Sequence, residues 1–571
     1  MKRIAIIGCG PRGLNSLECL ISSLSRKRDH NIHITIYDDQ RELGSGQVWK
    51  TDQVGSNWLN ISDRALLNLN DRSETNYQSF KVPSFPSFIQ WMEKNHDYVK
   101  SDQVDQFPPR KVMGSYLNER FTSIANTLVH QNILEIKTEK VTELNFEDPY
   151  FIISDTQDIS HQYDECLLTI GHQPTKDDDQ IKSWKKHCKE GAGKLFDNPY
   201  EYQKEVLNEL TATDNVALRG FGLAMIDLTR ILTVEKGATF KKIINSDFLK
   251  YIPSDASIKK IVPFSLNGLP VVPKPLGKEV DQFFTPDDAQ VSSFKSKINE
   301  ALKNAHTITD LNFLYNAFLD VALPLYEKHT TVNNSLDGVI IDTIAKKWMR
   351  DMSYKHDLIL DTCLDCKQYM IATAQMALGK TTVSLDYTIG QVWRHLQPTM
   401  YELFSHCDLN DLIMEDLIKL DESTKRYSYG PPVESILQLI ALEDAGVLNL
   451  NYVANPTIDC NEKGWTLDNN KQTQHIDVMI NTVLDPPRLI DIESGLIIDL
   501  ISSDLLKPVT SDLGVSTNKD GTVQLDTKNN SIHLTMLGRN CKGSVMGVDA
   551  ILECFGKRIE DWAHGITDRI A

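Results

Sequence analysis

The sequence predicts an α/β protein with two similar sheet-containing domains and a large, mainly helical insertion. An apolar run, a glycine turn and a helix-type pattern follow one another at residues 3–24, and the same order recurs at 215–234. Between about 275 and 420 the apolar residues have helical spacing with polar breaks. Because strands that alternate with helices form parallel sheets, each repeated unit predicts the start of an α/β domain.

The bulk composition is typical of a soluble globular protein of roughly two to four domains. The 571 residues are 41% hydrophobic and 24% charged, and the formal net charge is −18. This negative charge argues against nucleic acid or an anionic membrane as the main partner. We find no apolar run long enough to cross a bilayer, and the run after Lys2 and Arg3 is too short for a secretory signal. We therefore expect a cytoplasmic protein whose ten cysteines are reduced.

The individual elements follow from the period of the apolar residues. Strands are expected at 3–7, 31–39, 133–137, 150–154, 166–170, 476–481 and 531–537, and at the start of the unit at 215–234. Helices are expected at 14–24, 85–92, 112–121 and 547–562, and after the glycines of the second unit. The order predicts a first domain of 1–210 with 476–571, a second of 211–275 with 430–475, and a helical insertion of 276–429.

Three glycines near the N-terminus, Gly8, Gly10 and Gly13, have the G-x-G-x-x-G spacing of a dinucleotide-binding turn. The first permits a tight turn, the second lets the backbone approach a diphosphate, and the third lets the helix pack against the strand. The N–H groups at the helix N-terminus then face the diphosphate. At the end of the next strand, Asp38 can accept a hydrogen bond from a ribose hydroxyl. Strand, turn, helix, strand and acid occur in the required order, so this Rossmann-like unit predicts bound FAD or NAD.

A second turn of this kind stands at RGFGLAMID, residues 219–227. Gly220 and Gly222 keep the first two glycine positions, and Met225 replaces the third. This second Rossmann-like unit suggests that the chain binds both FAD and NAD(P)H, and the alternative is a plain strand-to-helix turn. Lys241 and Lys242 are the basic residues near the expected end of the next strand, which leaves NADH and NADPH open.

Other patterns are weaker. Cys363 and Cys366 form one CLDC, which is read as ordinary helix cysteines or as a redox pair that passes electrons to the flavin. His395 and His406 lack the spacing of a helical metal pair, so no metal is expected. His172 is a base, a flavin contact or a hydrogen-bonded loop histidine. The sequence singles out no catalytic acid or base.

Six segments in chain order resemble one group of flavoproteins. They are GCGPRGL (8–14), DDQRELGSGQVWKTDQ (38–53), FPPRKVMGSYL (107–117), LLTIGHQP (167–174), RGFGLAMIDLTRILT (219–233) and LGRNCKGSVMGVD (537–549). Together they resemble the bacterial FAD/NAD(P)-binding proteins grouped with aspartate N-monooxygenase and the HpyO-type FAD-dependent urate hydroxylase. More distantly they are similar to N-hydroxylating flavin monooxygenases. The likeness spans both ends of the chain, and the helical middle is its least typical part.

The resemblance implies a role for each matching residue, with Asp549 bonding the ribityl chain of the flavin. The residues that it implies for the diphosphate and adenosine of FAD are Gly8, Gly10, Pro11, Arg12, Gly13 and Asp38, and those near the flavin are Gly46, Gln47, Val48 and Trp49. Two later segments return to the FAD site, one with Thr169, Gly171 and His172 and the last with Gly538, Gly547 and Asp549. The nicotinamide nucleotide is expected at Gly220 and Gly222.

The resemblance also implies an activity. It implies an FAD-dependent, NAD(P)H-linked oxidoreductase, foremost a monooxygenase that hydroxylates a small molecule. A flavin reductase or dehydrogenase without oxygen insertion is the alternative among enzymes. A flavin-binding sensor or partner protein without turnover is the alternative outside them. The substrate and the oligomeric state are left open.

Overall fold

The computed structural model describes residues 1–27, 31–96, 98–99, 104–157, 159–198, 201, 203–329, 338–525 and 532–570. The strands are β1 (Lys2–Ile7), β2 (Ile32–Tyr37), β3 (Thr75–Tyr77), β4 (Phe80–Val82), β5 (Leu134–Lys137), β6 (Val141–Glu147), β7 (Tyr150–Asp155), β8 (Ser160–Tyr163), β9 (Glu165–Leu168), β10 (Lys194–Phe196), β11 (Asn215–Arg219), β12 (Thr239–Lys242), β13 (Leu249–Ile252), β14 (Lys260–Phe264), β15 (Thr457–Asn461), β16 (Gly464–Asp468), β17 (Thr473–Ile476), β18 (Val478–Asn481) and β19 (Leu534–Met536).

The α-helices are α1 (Pro11–Leu24), α2 (Asp63–Leu66), α3 (Phe88–Asn95), α4 (Arg110–His130), α5 (Asp179–Lys189), α6 (Gln203–Glu209), α7 (Leu223–Thr233), α8 (Gly277–Asp281), α9 (Asp288–Leu302), α10 (Asn312–His329), α11 (Gly338–Arg350), α12 (Cys366–Ala377), α13 (Leu385–Phe404), α14 (Asp411–Ser428), α15 (Val433–Asp444), α16 (Gly495–Ser502) and α17 (Lys557–Ile570). In the part of the chain that the structure describes, no helix has the length and apolar character needed to cross a membrane.

The first sheet is parallel and has the order β19-β9-β1-β2-β5. Its central strands are apolar almost throughout because both faces are covered, as is usual for parallel sheets. Ile4 and Ile6 of β1 pack in one core with Leu14 of α1, and Ala5 and Ile7 pack on the other face. The predicted β-α-β unit at the N-terminus is confirmed, and its glycine turn lies at the carboxyl end of the central strand.

The second sheet is also parallel and has the order β10-β18-β11-β14. Two of its strands, β10 and β18, lie in segments that the sequence assigns to the first domain, and they pair within this second sheet. Pairing of parallel strands depends on distant partners, which a local apolar pattern does not encode. The wider division into domains stays a prediction.

The strand that follows α7 in the second sheet is β14, not the segment of Lys241 and Lys242. Those two lysines lie on β12, which pairs antiparallel with β13 in a separate ribbon. In the sheet, β14 lies parallel to β11, and Ser265 comes directly after it. Lys241 and Lys242 therefore do not lie at the strand end where the ribose of a dinucleotide is recognised. The expectation that they lie near the end of the next strand of this unit is wrong, and they give no information on NADH or NADPH.

The predicted helical insertion is confirmed by α8 to α14, which lie between the two halves of the chain that form the sheets. Its core contains fully buried aromatic side chains, among them Trp348, Trp393 and Tyr369. Helix α13 runs through the middle of this layer and contacts α14, α10 and α9. It thereby presents one side to the core and residues such as Tyr401 to the space beside the first sheet.

The C-terminal helix begins later than predicted. The sequence predicts a helix at 547–562, and the structure begins α17 at Lys557 after a short 3₁₀ turn at Leu552–Phe555. The preceding residues are held in a loop, since Nη2 of Arg12 donates to the carbonyl oxygen of Val548 at 2.5 Å. Contacts with distant residues thus override the local helical pattern.

Candidate cofactor and substrate site

The first glycine turn requires glycine at two positions for steric reasons. Gly8 has a φ of +88°, and a Cβ there would lie 2.7 Å from the carbonyl oxygen of Thr169. A Cβ on Gly13 would lie 2.6 Å from the carbonyl oxygen of Gly8. The turn and the close packing of α1 on β1 therefore exclude larger residues.

The N-terminus of α1 suits a diphosphate. Gly10 is its N-cap residue in an extended conformation, and no side chain caps the first turn, in which Pro11 is the first residue. The free N–H groups and the positive end of the helix dipole favour an anion. A Cβ on Gly10 would meet only Gly46, at 3.5 Å from its Cα, so the protein itself leaves space at this position. These features fit the diphosphate of FAD.

Asp38 lies just beyond the carboxyl end of β2 and braces the glycine turn. One carboxylate oxygen accepts from the backbone N–H of Cys9 at 2.6 Å, and the other accepts from that of Gln40 at 2.8 Å. Burial raises the pKa of Asp38, and these two hydrogen bonds lower it in part. A carboxylate has about four acceptor positions, so Asp38 also has capacity for a ribose hydroxyl.

Three more of the expected segments meet at this turn. The N–H of Gly44 donates to the carbonyl oxygen of Cys9 at 2.7 Å, which brings residues 44–49 against the turn. Asn540 donates from Nδ2 to the carbonyl oxygen of Gly171 at 3.1 Å, which joins residues 169–172 to the closing segment. A Cβ on Gly538 would lie 3.1 Å from Cδ of Arg12. Sequence positions far apart thus converge on one place.

A cavity of about 1630 Å³ lies between Val48 and Trp49, the closing segment near Asp549 and the helical insertion. Ligand pockets for one small molecule usually have about 300–1,000 Å³, so this cavity has room for more than one occupant. Of the expected site residues it is lined by Val48, Trp49, His172, Gly547 and Asp549. Gln47 is exposed. The expected site residues that do not line this cavity are Gly8, Gly10, Pro11, Arg12, Gly13, Asp38, Gly46, Gln47, Thr169, Gly171, Gly220, Gly222 and Gly538.

The second glycine turn opens onto the same cavity. Gly220 has a φ of +114°, and a Cβ there would lie 2.6 Å from Oγ1 of Thr482. Gly222 is the N-cap of α7, again with no side-chain cap, and a Cβ there would meet nothing within 4 Å. Leu223, the first residue of α7, lines the cavity. This uncapped helix N-terminus is thus suited to an anion next to the cavity.

The carboxylate of Asp549, expected on the ribityl chain, is engaged with cations. Lys425 donates to one of its oxygens at 2.5 Å and Arg539 to the other at 2.5 Å. These two cations, with Lys542 nearby, hold the pKa of Asp549 well below its usual range against the effect of burial. Asp549 therefore fastens α14 of the insertion to the closing segment, and its contact with a ribityl chain stays a prediction.

His172 faces the cavity with an exposed side chain. The surrounding protein and the guanidinium of Arg539 lower its pKa to about 4, so the imidazole is neutral at pH 7. A neutral imidazole can donate one hydrogen bond and accept another. This suits a cofactor contact better than an acid.

The far end of the cavity is cationic. Lys274 and Arg394 both line it, and their mutual repulsion adds to burial in lowering the pKa of Lys274 to about 7. Arg394 and Arg64 share Asp281 as an ion-pair partner. Among the described residues Lys274 has no ion-pair partner, and its ammonium donates to the carbonyl oxygen of Asn60. An anion that entered here would find one cation without a counterion.

Sequence reasoning missed part of the lining of this site. The missed residues are Lys274 just before the insertion, Arg394, Tyr401, Lys425 and Tyr429 within it, and Glu553 near the C-terminus. Each lies alone in its segment, without a motif or a periodic pattern to mark it. Only the packing of α13 and α14 beside the first sheet brings them together.

Comparison with known proteins identifies relatives that bind FAD and NAD(P) or act as monooxygenases. The profile of the FAD-NAD(P)-binding family matches residues 5–173. Nitrosuccinic acid synthase of Aspergillus oryzae is 22% identical to this chain over 552 residues. The alignment covers 89% of this chain and 82% of the length of the synthase. An L-aspartate N-monooxygenase (nitrosuccinate-forming) of Streptomyces cremeus is 22% identical over 46% of this chain and 43% of its own.

Among solved structures, ornithine hydroxylase of Pseudomonas aeruginosa aligns over 100% of this chain and 99% of its own, with a TM-score of 0.48 and 10% identity. On the matched profile and the two named relatives, residues 5–173 match an FAD-NAD(P)-binding domain, and the chain is similar in sequence to a nitrosuccinic acid synthase and to an L-aspartate N-monooxygenase.

Proposed function

We propose that this protein is an FAD-dependent, NAD(P)H-linked monooxygenase that acts on a small molecule with a carboxylate group. The observation that carries the proposal is the shared cavity. Val48 and Trp49 beside the first turn, Leu223 at the second turn and Lys274, just before the insertion, line one space. Residues next to each glycine turn thus share one cavity with a cationic side chain, which supports a common site for electron donor, flavin and substrate.

The cationic end of the cavity supports the carboxylate. Lys274 lacks an ion-pair partner among the described residues, and Arg394 stands beside it. A carboxylate bound between them would gain charge-assisted hydrogen bonds, which are among the stronger ones in proteins. The named relatives act on L-aspartate or form a nitro acid, which is consistent with an acidic small molecule.

When bound, FAD would supply the transfer of electrons and the chemistry with oxygen. The tasks of this chain are binding, orientation and the exclusion of water. The N-termini of α1 and α7 would hold the two diphosphates. Trp49 and Leu223 would give the space between them an apolar wall, and Lys274 with Arg394 would orient the substrate by its carboxylate.

The decisive experiment adds NADH and NADPH separately to the purified FAD-loaded protein without oxygen. Bleaching of the flavin absorbance is expected, and its absence would mean a binding protein without turnover. Air and L-aspartate are then added, and the organic products are analysed by mass spectrometry. A product that gains oxygen supports a monooxygenase. NAD(P)H oxidation without such a product, across a panel of small carboxylates, would favour a reductase or an oxidase.

A further inference from the structure

Three hydrogen-bonding side chains form a line along one wall of the cavity. The hydroxyl of Tyr401 on α13 lies 3.3 Å from that of Tyr429, which follows α14. Tyr429 donates to Oε1 of Glu553 at 3.4 Å, and the N–H of Ala550 donates to Oε2 at 2.9 Å. All three side chains line the cavity that also holds Trp49.

The surroundings set the proton affinity of each group in this line. Burial, and then repulsion from Asp549, raises the pKa of Glu553 to about 7, although the N–H of Ala550 lowers it in part. Burial also raises the pKa of Tyr401 and Tyr429 well above the usual value, so both stay protonated near neutral pH. The charged groups that face Glu553 are Asp549 on its own segment, Arg12 of α1, Lys425 of α14 and Arg558 of α17.

We propose that Glu553, acting through Tyr429 and Tyr401, is the group that takes up and returns protons for the reaction in this cavity. The inference rests on the proposed function. A proton that enters at Oη of Tyr401 displaces the proton of that hydroxyl to Tyr429, which passes its own proton to Oε1 of Glu553. Each tyrosine breaks one O–H bond and forms one, and the carboxylate becomes a carboxylic acid. The reverse sequence returns the proton.

The geometry favours this role over a merely structural one. A buried carboxyl that served only to hold the loop would be better held by a cation, as Asp549 is held by Lys425 and Arg539. Glu553 has no cation within ion-pair distance among the described residues and contacts a hydroxyl and an amide instead. A group whose charge changes near working pH is the most effective general acid or base.

The first test uses infrared spectroscopy on the full chain, with and without FAD and without NAD(P)H. In the wild type a carboxylic acid band should disappear as the pH rises through about 7. Glu553→Gln should abolish this change, and Glu560→Gln, on the exposed side of α17, should keep it. A wild-type protein without a band that titrates there, or a band that survives in Glu553→Gln, would overturn the assignment.

The second test measures NAD(P)H oxidation under air against pH. The wild type should show a limb with an apparent pKa of about 7. Glu553→Gln should lose this limb and be about 10²-fold slower, while Glu553→Asp restores part of both. Tyr429→Phe, which breaks the line without touching the carboxyl, should keep the infrared change and lower the rate. It also decides the rate test if Glu553→Gln does not fold.

Failure of the proton relay and failure of the proposed function give different results. Turnover with an unchanged pH profile in Glu553→Gln and in Tyr429→Phe would overturn the relay alone. Absence of NAD(P)H oxidation at every pH in the FAD-loaded wild type would overturn the proposed function, and the relay with it.

Discussion

Arg110 and Asp227 form a buried ion pair between the two sheet-containing halves, with Nη2 of Arg110 2.6 Å from Oδ2 of Asp227. Arg110 begins α4, which packs against the first sheet, and Asp227 lies on α7 of the second. Arg230 is also on α7, and its Cζ lies 3.9 Å from the ring centre of Trp58. This cation–π contact strengthens the same junction. This junction fixes the N-terminus of α7 relative to the first glycine turn.

Removal of one charge from the pair of Arg110 and Asp227 should destabilise the folded protein. Arg110→Met leaves Asp227 buried without its closest cation, and the free energy of unfolding should fall by about 3–5 kcal/mol. Unfolding in urea measures this change. Asp227→Leu in the Arg110→Met background should restore part of the stability, because no uncompensated carboxylate then remains. A single variant as stable as the wild type would contradict this account of the junction.

Substitutions of Gly10 and Gly13 should have different effects, the first on FAD binding and the second on stability. Gly10→Val should leave the fold intact, since the space beside Gly46 accepts a Cβ, and should weaken FAD binding at least tenfold, about 1.4 kcal/mol, by obstructing the diphosphate. Gly13→Ala should lower the melting temperature itself, because the Cβ would lie 2.6 Å from the Gly8 carbonyl oxygen. Flavin absorbance and calorimetry separate the two effects. Gly495→Ala, where a Cβ meets nothing within 4 Å, is the control. Full FAD content in folded Gly10→Val would refute the assignment of this turn.

Gly222→Val tests the second turn alone. A Cβ there has open space in the protein, so the fold and FAD content should be unchanged. The concentration of NAD(P)H that gives half the maximal rate of flavin reduction should rise about tenfold or more, as the side chain occupies the helix N-terminus. Stopped-flow absorbance without oxygen measures this rate. An unchanged rate, or loss of FAD, would mean that the turn is only scaffold.

Lys274→Met should raise the KM for a carboxylate substrate about tenfold or more and leave flavin reduction by NAD(P)H nearly unchanged. Lys278→Met, at an exposed lysine four residues further along the chain, is the matched control. The pH dependence has a definite sign. Because the pKa of Lys274 is lowered to about 7, the ammonium loses its proton as the pH rises through 7, and substrate binding should weaken there. Lys274→Met should lack this dependence, and a KM equal to the wild type would exclude Lys274 from the site.

Cys363 and Cys366 should be dispensable for electron transfer. Cys363 is exposed, and its Sγ accepts a hydrogen bond from Nζ of Lys355 at 2.7 Å, whereas Cys366 is buried at the start of α12. Neither cysteine is among the residues that line the cavity. Serine at both positions should leave the rate of flavin reduction within about twofold, with at most a modest loss of stability from burial of a hydroxyl. A collapse of the rate with FAD still bound would support a disulfide relay instead.

The glycine turns and the elements that flank them could be predicted because their signals are local. The spacing of Gly8, Gly10 and Gly13 after an apolar run already specifies a strand, a tight turn and a helix. The helical character of the insertion likewise follows from apolar residues at a helical period. In these stretches each residue's preference agrees with the structure around it.

The partners of strands, and the cavity itself, were decided by contacts between distant residues. The pairing of β18 with β11 and β10, the late start of α17 and the cations around Asp549 all depend on segments far apart in the chain. Lys274, Tyr401 and Glu553 meet in one cavity because α13 and α14 pack beside the first sheet. The sequence by itself therefore determined that there are two dinucleotide turns and a helical insertion between them. Only the tertiary structure decided which charges and hydroxyls face the common cavity, since such side chains carry no periodic signal and acquire their roles from burial and neighbours.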